Sequence, residues 1–194
     1  MGRIYVKSER VVNGKPEVVY ATLADYEEKR PLILTPNFLD YRVEQGGRGD
    51  GTVVSYRLQA ARRERPYHML IHEVVKGSVI TEQDTNSSLI TTWTVSPQEG
   101  GQQSRVRVTS EWEGGSGIGG FFERLFAPTG LSCIYGKMLA MLNATLEPAD
   151  ARNAEQQEHS PSTNKCLRLL MVGGIIALGV GATLLCKRRP AVQV

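Results

Sequence analysis

Residues 89–112 read LITTWTVSPQEGGQQSRVRVTSEW, and this stretch decides the fold. Apolar and polar residues alternate on both sides of Gly100 and Gly101, which is the period of a β-strand with one buried face. The two glycines favour a turn, so the stretch predicts a hairpin of antiparallel strands. The positions that the alternation turns inward are Leu89, Thr91, Trp93, Val95, Val106, Val108, Ser110 and Trp112.

Working outward from this hairpin, we find further runs of β-branched and aromatic residues upstream, separated by turn-rich pieces. Each run predicts a strand, and with the hairpin they make seven strands, most of them joined by hairpins. The upstream runs are Tyr5–Val12, Phe38–Glu44, Thr52–Ala60, Tyr67–Val75 and Val79–Gln83. In the third of these, Val54, Tyr56 and Leu58 alternate with polar residues and are predicted to face inward with the hairpin set.

Two stretches of the sequence show the period of a helix, one after the first predicted strand and one after the last. Pro16 suits the first position of a helix that we expect from Glu17 to about Glu28. A longer pattern runs from Phe121 to Leu146, and we expect an interruption near Pro128 and Gly130. Its apolar stripe would cover the inner face of the sheet. The apolar positions are Val18, Val19, Leu23 and Tyr26 in the first helix, and Leu131, Tyr135, Met138 and Leu142 in the second.

The charge balance excludes some classes of partner and cofactor. Residues 1–148 hold 17 Lys and Arg against 17 Asp and Glu, so the net charge of +3 arises in the last part of the chain. A neutral domain is a poor binder of nucleic acid, and we expect none. The three cysteines, Cys133, Cys166 and Cys186, lack metal-binding spacing, so neither zinc nor another cofactor is predicted.

Two short motifs look like sites but favour plain structure. Residues 46–51 (GGRGDG) suggest a phosphate loop, yet a strand follows them, so we predict a hairpin turn. His68 and His72 are four apart, but on a strand that spacing puts them about 13 Å from each other. A shared metal ion is therefore not expected.

The order of these elements is strand, helix, six antiparallel strands and a long C-terminal helix. In this order the chain resembles the START-like superfamily, also called SRPBCC, and especially its polyketide cyclase/dehydrase and lipid-transport branch. The resemblance covers about residues 3–147 and implies an α+β helix-grip fold, a curved seven-stranded antiparallel sheet around the long helix. The matching motifs are NGKPEVVY at 13–20, Gly47-x-Gly49-x-Gly51-Thr52, and TWTVSP at 92–97 followed by Gly100-Gly101.

The resemblance implies an elongated apolar cavity for a lipid, a quinone or a polyketide-like molecule. We choose the lining residues because strand alternation and helical phase turn them inward. They are Tyr56, Met69, Ile71, Trp93, Trp112, Tyr135, Met138 and Leu142. Glu73 shares the phase of Tyr67, Met69, Ile71 and Val75, so its carboxylate either orients a polar ligand head or acts as an acid-base group, or it reaches solvent at the rim.

The end of the chain predicts a membrane anchor over residues 167–189. Leu169–Cys186 carries no charge, and as a helix it spans about 27 Å, close to the thickness of a bilayer core. Basic residues flank it, and the polar segment 148–166 reads as a flexible linker to the domain of residues 1–147. Since residues 1–12 show no signal peptide, we expect a single-pass protein with its N-terminal domain in the cytoplasm.

Small residues follow one face of this predicted span. Gly173, Ala177 and Gly181 are spaced by four, a pattern that lets two helices approach closely and predicts a homodimer. The alternative is that glycine is simply common in membrane helices.

Three functions remain open from the sequence. The first is a membrane-tethered carrier or sensor that binds a hydrophobic small molecule taken from, or delivered to, the bilayer. The second is an enzyme of the cyclase, dehydrase or hydrolase kind, against which we find no inward-facing catalytic set of residues. The third is a protein-interaction module. Binding without turnover is favoured, and no residue is assigned a catalytic role.

Deleting residues 167–194 tests the anchor. We expect the full chain to sediment with membranes and the truncated chain to appear in the soluble fraction, because the linker separates two independent units. A truncated chain that stays with membranes after salt washing, or that fails to fold by circular dichroism, contradicts both the anchor and the domain boundary.

Overall fold

The computed structural model describes residues 2–60, 63–114 and 117–147. Within these residues seven strands and two α-helices form, with short 3₁₀ segments at Arg30–Ile33 and Glu99–Gly101. The helices are α1 (Pro16–Ala24) and α2 (Gly117–Leu146). The strands are β1 (Arg3–Val12), β2 (Phe38–Gln45), β3 (Val53–Ala60), β4 (Arg63–Val75), β5 (Val79–Asp84), β6 (Ile90–Pro97) and β7 (Ser104–Glu113).

The strands form one antiparallel sheet in the order β1-β7-β6-β5-β4-β3-β2. From β2 to β7 each strand pairs with the next one along the chain, and β1 pairs with β7 at the far edge. The hairpin predicted from residues 89–112 is confirmed, with Thr91 opposite Ser110 and Trp93 opposite Val108. The seven-stranded sheet and the long C-terminal helix are therefore confirmed as well.

One face of the sheet, called the inner face below, packs against α2. Every inward position predicted on β6 and β7 is buried, as are Tyr135, Met138 and Leu142 of α2. Leu131 is half-buried and packs against the same core. Alternation on the strands and helical phase on α2 thus identify the core correctly, because both reflect which side chains leave water.

The first helix is shorter than predicted, ending at Ala24 rather than near Glu28. It ends at Ala24 because the chain beyond it bonds to the glycine turn: Tyr26 N–H donates to the Gly47 carbonyl (2.8 Å) and Gly49 N–H donates to the Ala24 carbonyl (2.9 Å). Of its four apolar positions, Val19, Leu23 and Tyr26 are buried, whereas Val18 is 51% exposed. Tyr20 is buried on the same helix.

The glycine turn at residues 46–51 joins β2 to β3, as the sequence predicted. Gly49 has a φ of +65°, and a side chain there would lie 2.9 Å from Oε2 of Glu73. The turn therefore needs glycine both for its backbone conformation and for its close approach to β4.

Two details of the later elements also differ from expectation. The predicted interruption of the long helix is absent: α2 is continuous from Gly117 to Leu146 with Pro128 inside it. Helix packing against the sheet offsets the one hydrogen bond that a proline removes. On β4, alternation would turn Val75 inward, but its side chain is 52% exposed. The reason is that the register with β5 shifts between Glu73 and Val75.

The predicted linker (148–166), the anchor (167–189) and the small-residue face at Gly173, Ala177 and Gly181 lie outside the described residues. Within 2–60, 63–114 and 117–147, no helix has the length and apolar character needed to cross a bilayer.

Candidate functional site

An ion pair is buried inside the domain, between Arg30 and Glu82. Strand β5 places Ile80, Glu82 and Asp84 on the buried side by alternation, so two acidic residues face the core. Arg30 opens the 3₁₀ segment that follows α1, and this segment contacts α2. Its Nη2 donates to Oε1 of Glu82. Both residues are more than nine-tenths buried, so water does not screen the attraction between their charges.

Aromatic side chains enclose this pair. The guanidinium carbon of Arg30 lies 4.1 Å from the centre of the Trp93 ring and 5.3 Å from that of Tyr26. The Tyr26 hydroxyl donates to Oε1 of Glu82 (2.9 Å), and the Tyr41 hydroxyl donates to the Tyr26 carbonyl (2.7 Å). The cation is therefore held by a carboxylate and by the face of an indole ring, an arrangement that stabilises it after it has lost its hydration.

The electrostatics of the cluster follow from this enclosure. Burial acts to lower the pKa of Arg30, but the Glu82 carboxylate, together with smaller contributions from the surrounding tyrosines, offsets this and the pKa is raised, so the guanidinium stays charged. Burial raises the pKa of Tyr26 well above its ordinary value, and the charge of Glu82 raises it further. Tyr26 therefore acts as a neutral hydrogen-bond donor throughout the physiological pH range.

Two nitrogen donors in this cluster are left over. Nη1 of Arg30 and Nε1 of Trp93 are both buried, and neither has a hydrogen-bond partner within the part of the chain that the structure describes. Buried donors are normally paired because an unpaired one loses its hydrogen bond to water without compensation. The two belong to side chains in direct contact, with the guanidinium over the indole ring.

A row of hydroxyl groups continues from Glu82 across the inner face. Glu82 lies opposite Thr91 and Thr91 lies opposite Ser110 in the strand register. Oγ1 of Thr91 and Oγ of Ser110 are 2.7 Å apart, and Ser110 Oγ is 2.5 Å from the Tyr135 hydroxyl. Burial raises the pKa of Tyr135 to about 12, although its bonds to Ser110 and Thr91 act in the opposite direction. The inner face thus carries a polar track between apolar residues.

The predicted lining residues lie in the same core as this track. Trp93 and Tyr135 meet edge to face with their rings 6.1 Å apart. Tyr56, which pairs with Tyr67 on the neighbouring strand, lies 6.5 Å from the ring of Tyr41. Trp112 is two residues from Ser110 on the same face of β7. The remaining members of the predicted set, all buried in the same core, are Met69, Ile71, Met138 and Leu142.

Glu73 is separate from this cluster. It lies at the end of β4, where its Oε1 accepts a hydrogen bond from the Tyr20 hydroxyl (2.5 Å) and its backbone N–H donates to Asp50. The side chain is half-buried between α1 and the glycine turn. Burial raises the pKa of Tyr20 to about 12, and the bond to Glu73 adds to the shift. In this position Glu73 fastens α1 to the sheet.

The sequence analysis missed the central pair. It found no inward-facing catalytic set of residues and overlooked two acids, Glu82 and Asp84, which are both buried. The sequence of β5 does indicate the two buried acids, because strand alternation puts Glu82 and Asp84 on the same face as the apolar Ile80. A charged residue on the apolar face of a strand indicates a buried charge. Arg30 gave no such signal, because it follows Glu27, Glu28 and Lys29 in a stretch that reads as surface.

Other polar features lie away from the cluster. His68 bonds to Glu44 (3.0 Å) and to Thr85 (2.9 Å), whereas His72 lies near Asp50, so the two histidines have separate partners. An open groove of about 560 Å³ lies between β1 and α2 and includes Lys7 and Cys133. None of the predicted lining residues borders this groove.

Substituting Arg30 tests whether the ion pair holds the domain together. Arg30→Met leaves Glu82 buried without its counter-charge, and we expect the free energy of unfolding to fall by about 3–5 kcal/mol. The double variant Arg30→Met, Glu82→Gln removes both charges and keeps an acceptor for Tyr26, so it should recover most of that loss. Urea denaturation gives both values. Arg107→Met, which breaks an exposed pair with Glu9, is the control and should change little. If the single and double variants are equally unstable, the charge pairing is not the stabilising interaction.

Comparisons with known proteins agree with this fold. The KanY protein, solved in solution by NMR, shares 37% sequence identity with the chain and superposes with a TM-score of 0.67, over 76% of this chain and 100% of that one. Ginseng major latex-like protein 151 from Panax ginseng is 14% identical, with a TM-score of 0.59 over 75% of this chain and 99% of its own. A START superfamily protein from Mycobacterium smegmatis is 12% identical, with a TM-score of 0.58 over 75% and 97%. The last two show the fold alone.

No curated protein sequence matches the chain significantly. The family model described as polyketide cyclase/dehydrase and lipid transport matches residues 3–147, which span the whole sheet and both helices. Its match agrees with the resemblance found in the sequence, with the START-like sheet and with the identity to KanY. The chain therefore belongs to the polyketide cyclase/dehydrase and lipid transport family of the START-like, or SRPBCC, superfamily.

Proposed function

We propose that this protein binds a hydrophobic small molecule between the inner face of its sheet and α2, and carries or senses it at a membrane surface. The observation that carries the proposal is the buried cluster of Arg30, Glu82 and Trp93, which places a few polar groups among aromatic and sulfur-containing side chains. Sites for small molecules are largely apolar with a small number of polar groups that fix orientation. The START-like fold is itself suited to hydrophobic ligands.

The chemistry of the lining supports an apolar ligand body. Met69 and Met138 have flexible side chains that adapt to an irregular shape, while Trp93 and Tyr135 offer large aromatic surfaces. The hydroxyl groups of Thr91, Ser110 and Tyr135 already bond to one another. Because these hydroxyls already form hydrogen bonds with one another, none is left unpaired when the ligand is absent. They can still make polar contacts with a ligand that binds.

The membrane part of the proposal rests on the sequence of residues 167–189. A ligand of low solubility is concentrated in the bilayer, so a tethered carrier meets it at high local concentration. If residues 148–166 form the flexible linker that the sequence predicts, their reach would be about 20–25 Å, enough for the domain to touch the bilayer surface. Self-association through Gly173, Ala177 and Gly181 would place two domains over the same patch of membrane.

A second function, a cyclase- or dehydrase-type enzyme, is favoured by one observation. Glu82 lies beside a guanidinium and a tyrosine hydroxyl, which are groups that polarise a carbonyl and transfer protons. Against it, Oε1 of Glu82 is occupied by both Arg30 and Tyr26, so it serves the internal network. We therefore place binding first and turnover second.

Binding of N-phenyl-1-naphthylamine, a neutral fluorescent probe of apolar sites, tests the proposal. The parent chain should enhance the fluorescence of the probe with a saturable dependence on concentration. Trp93→Ala should weaken this binding and cost about 3–5 kcal/mol of stability, because it removes the ring that supports Arg30 and Tyr135. Trp112→Ala, at the same face of β7, should lower the affinity in the same direction.

Arg107→Ala is the matched control, since Arg107 lies on the outer face and pairs with Glu9. It should leave both probe affinity and melting temperature unchanged. Saturable binding that is equally strong in the Trp93, Trp112 and Arg107 variants would place the probe outside the interior and contradict the proposal.

A further inference from the structure

One end of the sheet is the end from which the chain continues into residues 148–194. Because neighbouring strands run in opposite directions, the β2–β3, β4–β5 and β6–β7 turns lie together with Val12, the last residue of β1. The C-terminal end of α2 lies there too. Oδ1 of Asn143 accepts a hydrogen bond from the Asn13 backbone N–H (2.7 Å), and the Glu147 carboxylate accepts one from the Asn13 side chain (3.3 Å). We call this end of the domain the exit end.

Helix α1 lies across the exit end. It begins just after Gly14, next to the end of β1, and the carbonyl of its last residue, Ala24, accepts a hydrogen bond from Gly49 in the β2–β3 turn (2.9 Å). Between these points Tyr20 bonds to Glu73 near the end of β4. A residue that α1 exposes is therefore exposed at the exit end.

Exposed apolar side chains are concentrated at this end. Six large apolar side chains are exposed among the residues that the structure describes, and four of them belong to the exit end. Val11 is next to last in β1, Val18 is on α1, and Val74 and Val75 lie at the β4–β5 turn. The other two are Tyr5 and Leu32.

The β4–β5 turn carries two of these valines side by side. Val74 is 60% exposed and Val75 is 52% exposed, whereas a regular strand would turn one of two consecutive residues inward. The register shift between Glu73 and Val75 is what exposes both. The other two turns at this end consist of glycine and polar residues (GGRGDG at 46–51 and QEGGQQ at 98–103), as is usual for turns. Exposed valines at a turn are unfavourable in water, so they indicate a surface that something else covers.

From this placement we infer that the exit end is a bilayer-docking surface, with Val74 and Val75 entering the boundary between lipid head groups and acyl chains. The inference rests on the membrane tether of the proposed function. An anchor over residues 167–189 would be joined to the domain at this end, and a linker of limited reach would keep this end close to the lipid. That attachment point favours a bilayer over a second protein as the surface that covers the valines.

The tether also makes a small contact sufficient. Two valines bury little apolar area, so a free domain would dock weakly. Once the chain is anchored, docking becomes an intramolecular step at a high effective concentration, and a weak contact can then orient the domain. Lys76 follows the valines at the turn, and its long side chain allows the ammonium group to stay among the head groups while the valines are buried. Docking of this kind is apolar and does not require anionic lipid.

Fluorescence quenching by lipid tests the docking surface. The full-length chain, with Cys133, Cys166 and Cys186 replaced by serine, receives one NBD label at Lys76→Cys or at Asn86→Cys in the β5–β6 turn at the opposite end. Each is reconstituted into vesicles of phosphatidylcholine, part of which carries a nitroxide near the head-group end of an acyl chain. We expect quenching of the label at 76 to be about threefold stronger than at 86, with emission shifted to the blue.

Serine variants show whether the valines cause the effect. Val74→Ser, Val75→Ser in the chain labelled at 76 should reduce quenching to the level measured at 86, and the melting temperature should stay unchanged because both side chains are exposed. Tyr5→Ser is the matched control. It removes another exposed apolar side chain, in the half of β1 that is remote from the exit end, and should leave quenching at 76 unchanged.

Flotation of the same vesicles separates the inference from the function on which it rests. If the chain floats with the vesicles and the two labels are quenched equally, or if the serine variant is quenched like the parent, the docking surface is overturned while the tether stands. A blue-shifted label at 76 that lipid does not quench means that a protein, such as a second copy of the chain, covers the turn, and this also overturns the inference. If the chain does not float with the vesicles, both the tether and the docking surface fail.

Discussion

The burial of Arg30 against Glu82 and Trp93 is the constraint on which the interior of this domain depends. A guanidinium removed from water is strongly unfavourable unless a carboxylate and further contacts replace its hydration. Glu82 supplies the charge, Trp93 supplies the ring face, and Tyr26 completes the bonds of the carboxylate. Because Arg30 lies after α1 and Glu82 lies on β5, the pair also ties the α1–β2 connection to the middle of the sheet.

The rest of the fold excludes water from this cluster. The antiparallel sheet turns its apolar side chains to one face, α2 covers that face, and the glycine turn holds the end of α1 by backbone hydrogen bonds. Tyr20 and Glu73 fasten α1 to β4 at the rim, so α1 is held at its middle as well as at its C-terminal end. Together these contacts allow a polar group to be positioned in an apolar interior, which is the requirement for recognising one end of a hydrophobic ligand.

Much of this arrangement was predictable from the sequence, and the exceptions have physical causes. Alternation around Trp93 and Val108, and helical spacing at Tyr135 and Met138, report burial directly because apolar side chains leave water. The bulge that exposes Val75 and the early end of α1 at Ala24 depend on contacts between distant elements, which local periodicity does not report. Arg30 was not predictable because its partners come from strands 50 or more residues later, so nothing near it in the chain marks it as buried.

Identification of the molecules that co-purify with the domain tests the central claim most directly. The full-length protein is extracted with a mild detergent, exchanged into volatile buffer and analysed by native mass spectrometry, followed by organic extraction of the bound fraction. The account predicts a hydrophobic adduct of small-molecule mass that is depleted in the Trp93→Ala variant. A parent protein that carries no adduct and still shows none after incubation with a total lipid extract would contradict it.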